Sequence, residues 1–254
     1  DKVFIRDSLH GVTFVVGSFS PELTAQNQIS PWRGATGAGP VPSATDDWPY
    51  LYLRDRAIPA AYGQALLVIG LAALAFLARS FPESLRPQWD FWLLGAAFLL
   101  IEFKSITELA LLFGTTWLVN VLAISGVLVM ALGANLVVLK LPRVNLHVLY
   151  GLLFASLALA YLLPVRVLVG LPLAARVLGS TALLSLPLFF AGVIFSESLR
   201  RAGEAARPLA SNLSGSVVGG VLEYGSLVWG IKSLYLLAAV AYAGSWIASR
   251  FQRR

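Results

Sequence analysis

The chain has 254 residues, 57% of them hydrophobic and 13% charged, against about a quarter charged in soluble domains. Its 19 basic residues outnumber 13 acidic ones for a formal charge of +6. No basic stripe interleaves with aromatics, so the excess reads as membrane-topology determinants and lipid-headgroup contacts and not as nucleic-acid binding. There is no Cys, and the histidines are His10 and His147 alone; disulfides, thiolate catalysis and Cys-ligated metals are excluded, and neither a metal site nor a cofactor is expected.

The chain opens at Asp1 without Met, in strand-like sequence, which reads as the remainder of a larger protein. Residues 3–20 (VFIRDSLHGVTFVVGSFS) carry β-branched and aromatic residues about a Gly-containing break, the pattern of two short strands. Residues 30–43 are rich in Gly and Pro and read as a linker. GATGAG within them resembles a phosphate-binding loop only superficially, because no apolar strand precedes it and Pro40 and Pro42 close it off. Residues 44–59 (ATDDWPYLYLRDRAIP) form an interfacial collar, with Asp46, Asp47 and Trp48 ahead of Arg54 and Arg56. Trp, Tyr and Arg favour the headgroup level, and the paired aspartates read as a solvated cap or, alternatively, a cation or acid–base site. The chain thus divides into an extramembrane segment, 1–59, and a polytopic helical membrane domain, 60–254.

Apolar runs of about 18 residues or more predict an all-α integral membrane protein of about seven transmembrane helices with a short β-rich N-terminal extramembrane segment. The expected spans are 60–77, 91–113, 115–139, 146–163, 174–195, 209–229 and 233–249. Gly114 breaks the second from the third, Pro142 and Pro164 end the third and fourth, and Pro187 kinks the fifth. Residues 196–208 (SESLRRAGEAARP) read as an interfacial helix turn. In the sixth span Gly215, Gly219 and Gly220 offer a small face for close helix approach.

The second span carries the most unusual feature, Glu102, Lys104 and Glu108 inside an apolar run. An ionisable group near a bilayer centre costs roughly 2.5–3.5 kcal/mol on insertion scales, so such groups face protein or water. Lys104 and Glu108 are four residues apart and share a helical face, whereas Glu102 lies about 200° around and needs a partner from elsewhere or a proton. Asn120, Asn135, Asn212 and Glu223 are the polar residues of other spans expected to close this centre. Two readings stand: a buried pair that fixes helix register, or a ligand, ion or proton site.

Around an odd number of spans, the side bearing the N-terminal segment holds Arg54, Arg56, Arg166, Arg176 and Lys232. The opposite side holds Arg79, Arg86, Lys140, Arg143, Arg200, Arg201, Arg207, Arg250, Arg253 and Arg254. Ten against five places the C-terminus in the cytoplasm and the N-terminal segment outside.

Three polar-in-apolar motifs occur in order: ATDDWPYLYLRDRAIP, FWLLGAAFLLIEFKSITELALLFGTTWLVN and ASNLSGSVVGGVLEYGSLVWGIKSLYLLAAVAYA. Together, over about residues 44–248, they resemble the C-terminal membrane region of large bacterial membrane-bound spermidine-synthase-like proteins, which join spans to a methyltransferase or aminopropyltransferase domain. The resemblance implies a bacterial inner-membrane module, non-catalytic by itself, that anchors or assembles with a fused soluble domain. The catalytic part of such proteins needs a Gly-rich loop after a strand and an acidic residue for the ribose. The chain has neither, so no transfer chemistry is assigned to it. A catalytic domain using intracellular cofactors belongs in the cytoplasm, which opposes the orientation that the charge count gives. The competing expectations are an accessory subunit partnered by other membrane proteins, and a transporter or channel using Glu102, Lys104, Glu108 and Glu223. An enzyme within the spans is the weakest, since Ser hydrolysis and Zn chemistry lack their residues.

Overall fold

The computed structural model describes residues 3–8, 11–16, 30–31, 44–50, 53, 55–80, 86–114, 117–141 and 144–251, the first three stretches by their backbone alone. Arg54, named above as part of the collar, lies outside them. The chain divides into two units, Asp1–Ser43 and Ala44–Arg254.

In the first unit β1 (Val3–Ser8) pairs antiparallel with β2 (Gly11–Val16), in register from Val3 opposite Val16 to Ser8 opposite Gly11. β3 (Ser30–Pro31) pairs along the other edge of β1, giving the order β2-β1-β3. Val, Ile, Phe and Thr dominate these strands, as their fit to a pleated surface requires.

The second unit is helical. Its long elements among the described residues are α1 (Ala60–Ser80), α2 (Trp89–Phe113), α3 (Trp117–Lys140), α4 (Leu146–Leu162), α5 (Leu173–Ala202), α6 (Ala206–Leu222) and α7 (Ser233–Phe251). Four of them, α1, α3, α5 and α7, are long and apolar enough to cross a membrane. α4 and α6 have 17 residues each, and α2 is interrupted by Asp90, Glu102, Lys104 and Glu108. Most of α1 and much of α3 present bare Leu, Val and Ile outward, including Leu67, Val68, Ile69, Leu128 and Val129. In lipid such a surface needs no cover, because tails are as apolar as Leu.

α2 is the hub. It runs parallel to α6 and antiparallel to α7, and its Leu94, Ala97, Leu100 and Ile101 join Leu153, Leu188, Ile194, Leu234 and Tyr242 in one buried cluster. Backbones of α2 and α6 touch. A Cβ on Gly215 would collide with the Trp92 carbonyl, one on Gly219 would lie 2.5 Å from the Ala96 oxygen, and Gly95 abuts the Asn212 carbonyl in return. Such contact lets dispersion drive association where no hydrophobic force separates helix from lipid. Gly220 lies beside the seam, where a Cβ would meet the Leu99 side chain at 3.1 Å.

Two boundaries differ from the sequence expectation. The fifth span does not stop near Phe195: α5 continues through SESLRRA to Ala202, with Gly203 at φ +70° as its left-handed terminus. The supposed interfacial turn, 196–208, is therefore the last two turns of α5, held by charged pairs three and four apart, then a short break and the first residues of α6. The sixth span is also not one helix. α6 ends at Leu222, and a 3₁₀ turn (Glu223–Gly225) and a single α turn (Ser226–Trp229) carry the chain to Gly230 at φ +87°.

Candidate functional site

Lys104 is 1% exposed, and its ammonium forms an ion pair with Glu108 one turn further along α2. Tyr235 of α7 completes the group: its hydroxyl donates to Glu108 Oε2 at 3.5 Å, and its ring centroid lies 4.1 Å from Lys104 Nζ. Cation and ring face each other away from water, where that attraction is strongest. Ser105 donates to the Ile101 carbonyl at 2.7 Å and to the Leu184 carbonyl of α5 at 3.2 Å. The pair forms one wall of a cavity of about 380 Å³ whose other walls include Tyr161, Val165 and Ile231, with Asp46 and Lys232 also lining it.

The remaining members of the expected polar centre do not gather here. Glu102 and Glu223 are half-buried and have no hydrogen bond or ion pair among the described residues. Glu223 lines a separate cavity of about 260 Å³ with Phe103, Tyr50 and Tyr62. Phe103 precedes Lys104 and so looks from the next face of α2. Asn120 lies on an exposed face of α3. Asn135 accepts a 2.7 Å bond from Ser196 Oγ, and Asn212 donates to the Phe91 carbonyl at 3.3 Å. Both belong to the opposite end of the bundle, because α2 and α3 are antiparallel neighbours and Asn212 stands near the start of α6. Lys104 is thus closed by its own helix and by a Tyr, and not by the Asn and Glu residues that hydropathy singles out.

The collar segment is built inward. Trp48 is 1% exposed, and its indole N–H donates to the Leu227 carbonyl at 2.7 Å, at the break after α6. Tyr50 OH and Ser226 Oγ are 2.6 Å apart. Asp47 Oδ1 accepts the Lys232 N–H at 2.7 Å and its carbonyl accepts that of Ile231 at 2.8 Å, so its carboxylate caps the entry to α7. Gly230 lies so close that a Cβ there would stand 2.6 Å from Asp47 Oδ2. Arg56 lies 5.5 Å above the Trp48 ring. Of the expected headgroup aromatics, Trp48 is accordingly an internal plug for broken backbone.

No family model, curated protein or solved structure matches this chain.

A second charged cluster escaped the sequence reading. Glu197, 1% exposed, takes Arg200 and Arg201 as ion-pair partners on α5. Arg200 Nη1 donates to the Val138 and Leu141 carbonyls at 2.7 and 3.0 Å, and Arg201 Nη2 to the Val144 carbonyl at 2.6 Å. The two arginines therefore satisfy carbonyls at the end of α3 and in the turn to α4. The E-x-x-R-R spacing was the available signal. At the same end Trp246 Nε1 donates to His147 Nδ1 at 3.0 Å, and Ser245 links Tyr150 to the Asp90 carbonyl. Among the described residues no three His, Asp or Glu side chains converge as metal ligands. The arrangement as a whole suits holding helices in register and presenting a small polar cavity.

Proposed function

We propose that this chain is a non-catalytic transmembrane module of a spermidine-synthase-like membrane protein, anchoring or assembling with other protein domains in a bacterial cytoplasmic membrane. All seven helices cross the bilayer in this reading, the strands at the N-terminus lie outside the membrane, and the C-terminus is cytoplasmic. The observation that carries it is the use of Lys104: its ammonium is consumed by Glu108 and Tyr235 within the packing of α2 against α7. Ionisable groups of a catalytic or conducting site would be expected to converge from several helices. Glu102 and Glu223 instead stand apart.

The test is the intact mass of the native protein and of whatever accompanies it in mild detergent. A mass well above 27.3 kDa, or a partner held at fixed stoichiometry, is expected; the second outcome makes the chain an accessory subunit. A second reading rests on the 380 Å³ cavity beside the ion pair, which has room for a small solute and favours a transporter. A lone, folded 27.3 kDa protein whose reconstituted flux vanishes in Glu108→Gln, a lining position of that cavity, would replace the anchoring role with that one.

A further inference from the structure

The cavity of about 260 Å³ lies where the first turn of α1, the 3₁₀ turn after α6 and the middle of α2 meet, with Tyr50 of the collar as a further wall. Glu223 is its one charged lining residue among the described ones. The side chain is half-buried and has no hydrogen bond or ion pair among them. An ionisable group at this depth is expected to have a partner, and the described residues supply none.

Most of the remaining wall is aromatic: Tyr50, Tyr62, Tyr224 and Phe103. Tyr62 and Tyr224 stand at 80° to each other with ring centroids 6.4 Å apart, and so form a corner. Tyr50 is fixed by its hydroxyl, 2.6 Å from Ser226 Oγ. A carboxylate among aromatic rings attracts a cation twice over, through its charge and through the ring quadrupoles.

The lining also selects the kind of cation. A hard metal ion such as Ca²⁺ takes about six to eight oxygen ligands, whereas one carboxylate stands here, and no three His, Asp or Glu side chains converge among the described residues. Aromatic walls suit a bulky, weakly hydrated alkylammonium instead. At about 30 Å³ per water-sized group, 260 Å³ holds about eight non-hydrogen atoms, the size of choline.

We infer that this cavity binds one small alkylammonium cation, its charge against Glu223 and its methyl groups among the rings of Tyr50, Tyr62, Tyr224 and Phe103. The same group exists as a free solute and as the headgroup of a choline lipid. The site is separate from the Lys104 pair and does not rest on the anchoring role.

Isothermal titration calorimetry of the full chain in an uncharged detergent tests it, with choline and with its neutral isostere in which carbon replaces the nitrogen. Choline is expected to saturate at one per chain, and the isostere to bind at least about tenfold more weakly. Glu223→Gln is expected to lose the same factor with the unfolding temperature undiminished. Tyr62→Leu, at a position 40% exposed, is expected to weaken choline about threefold, and it decides the matter if Glu223→Gln does not fold. In nanodiscs, choline binding lost in phosphatidylcholine but kept in phosphatidylglycerol would make the lipid headgroup the source, and binding kept in both would make it a free solute; either result upholds the site. No saturable choline binding, equal affinity for the neutral isostere, or undiminished affinity in the folded variants overturns the assignment.

Discussion

Lys104 and Glu108 set a desolvation cost against a Coulomb gain, and the two single deletions are not equivalent. Removing Glu108 leaves an ammonium at 1% exposure against the Tyr235 ring without its ion-pair partner, whereas Glu108 is 13% exposed. Breaking a buried pair costs about 3–5 kcal/mol, while replacing both partners by apolar side chains is close to neutral. Glu108→Leu is therefore expected to lower the unfolding temperature in detergent sharply, and Lys104→Met/Glu108→Leu to restore most of it. A double variant as damaged as the single one would show that the charges serve something besides helix register. Glu102→Gln should change stability by less than about 1 kcal/mol, since no described partner is lost. Trp48 makes a different kind of bond. Trp48→Phe keeps the ring in place but orphans the Leu227 carbonyl at the helix break, a loss of about 1–3 kcal/mol measurable in the same unfolding experiment.

Between elements, the seam of α2 and α6 is made of backbone, which makes substitution there unforgiving. Gly215→Val would push α6 away from the Trp92 carbonyl, and the expected loss is at least the 1–3 kcal/mol of ordinary overpacking. Gly151 of α4 has nothing within 4 Å of a Cβ, so Gly151→Ala should leave the unfolding midpoint unchanged or raised. Similar sensitivity at both positions would mean that the seam is not as close as described. This seam was legible in the sequence because small residues at GxxxG spacing say where a helix can approach another. The i, i+4 pair of Lys104 and Glu108 was legible for the same local reason. What closes that pair was not, since Tyr235 is distant in sequence and reads as one more aromatic in an apolar span. The inward turn of Trp48 was hidden likewise: the carbonyl it serves exists only because α6 breaks at Glu223, and hydropathy runs smoothly across that break. The end of α5 was hidden for the opposite reason: hydropathy falls at Ser196, but helix-forming residues and paired charges carry the helix on to Ala202.

On the scale of the molecule the proposal makes a prediction about orientation. In the seven-crossing reading proposed above, the loop charges favour a cytoplasmic C-terminus, whereas the proposed role beside a cofactor-using domain would need a cytoplasmic N-terminal side. The helical unit links the two ends to known markers. Asp47 is bonded to the turn holding Lys232, so Asp55 and Lys232 report one end, and Glu204 and Arg250, beside the termini of α5 and α7, report the other. The absence of Cys gives a silent background, and all four positions are exposed. Single variants Asp55→Cys, Lys232→Cys, Glu204→Cys and Arg250→Cys, treated with an impermeant maleimide, are expected to divide in pairs. The first two should label in intact cells and the last two only after permeabilisation. The reverse pairing would keep the seven-helix crossing and turn the protein over, placing any domain joined to the N-terminal side where nucleoside cofactors are found. Labelling of all four from one side would remove the odd number of crossings itself, and with it the reading of α2, α4 and α6 as spans.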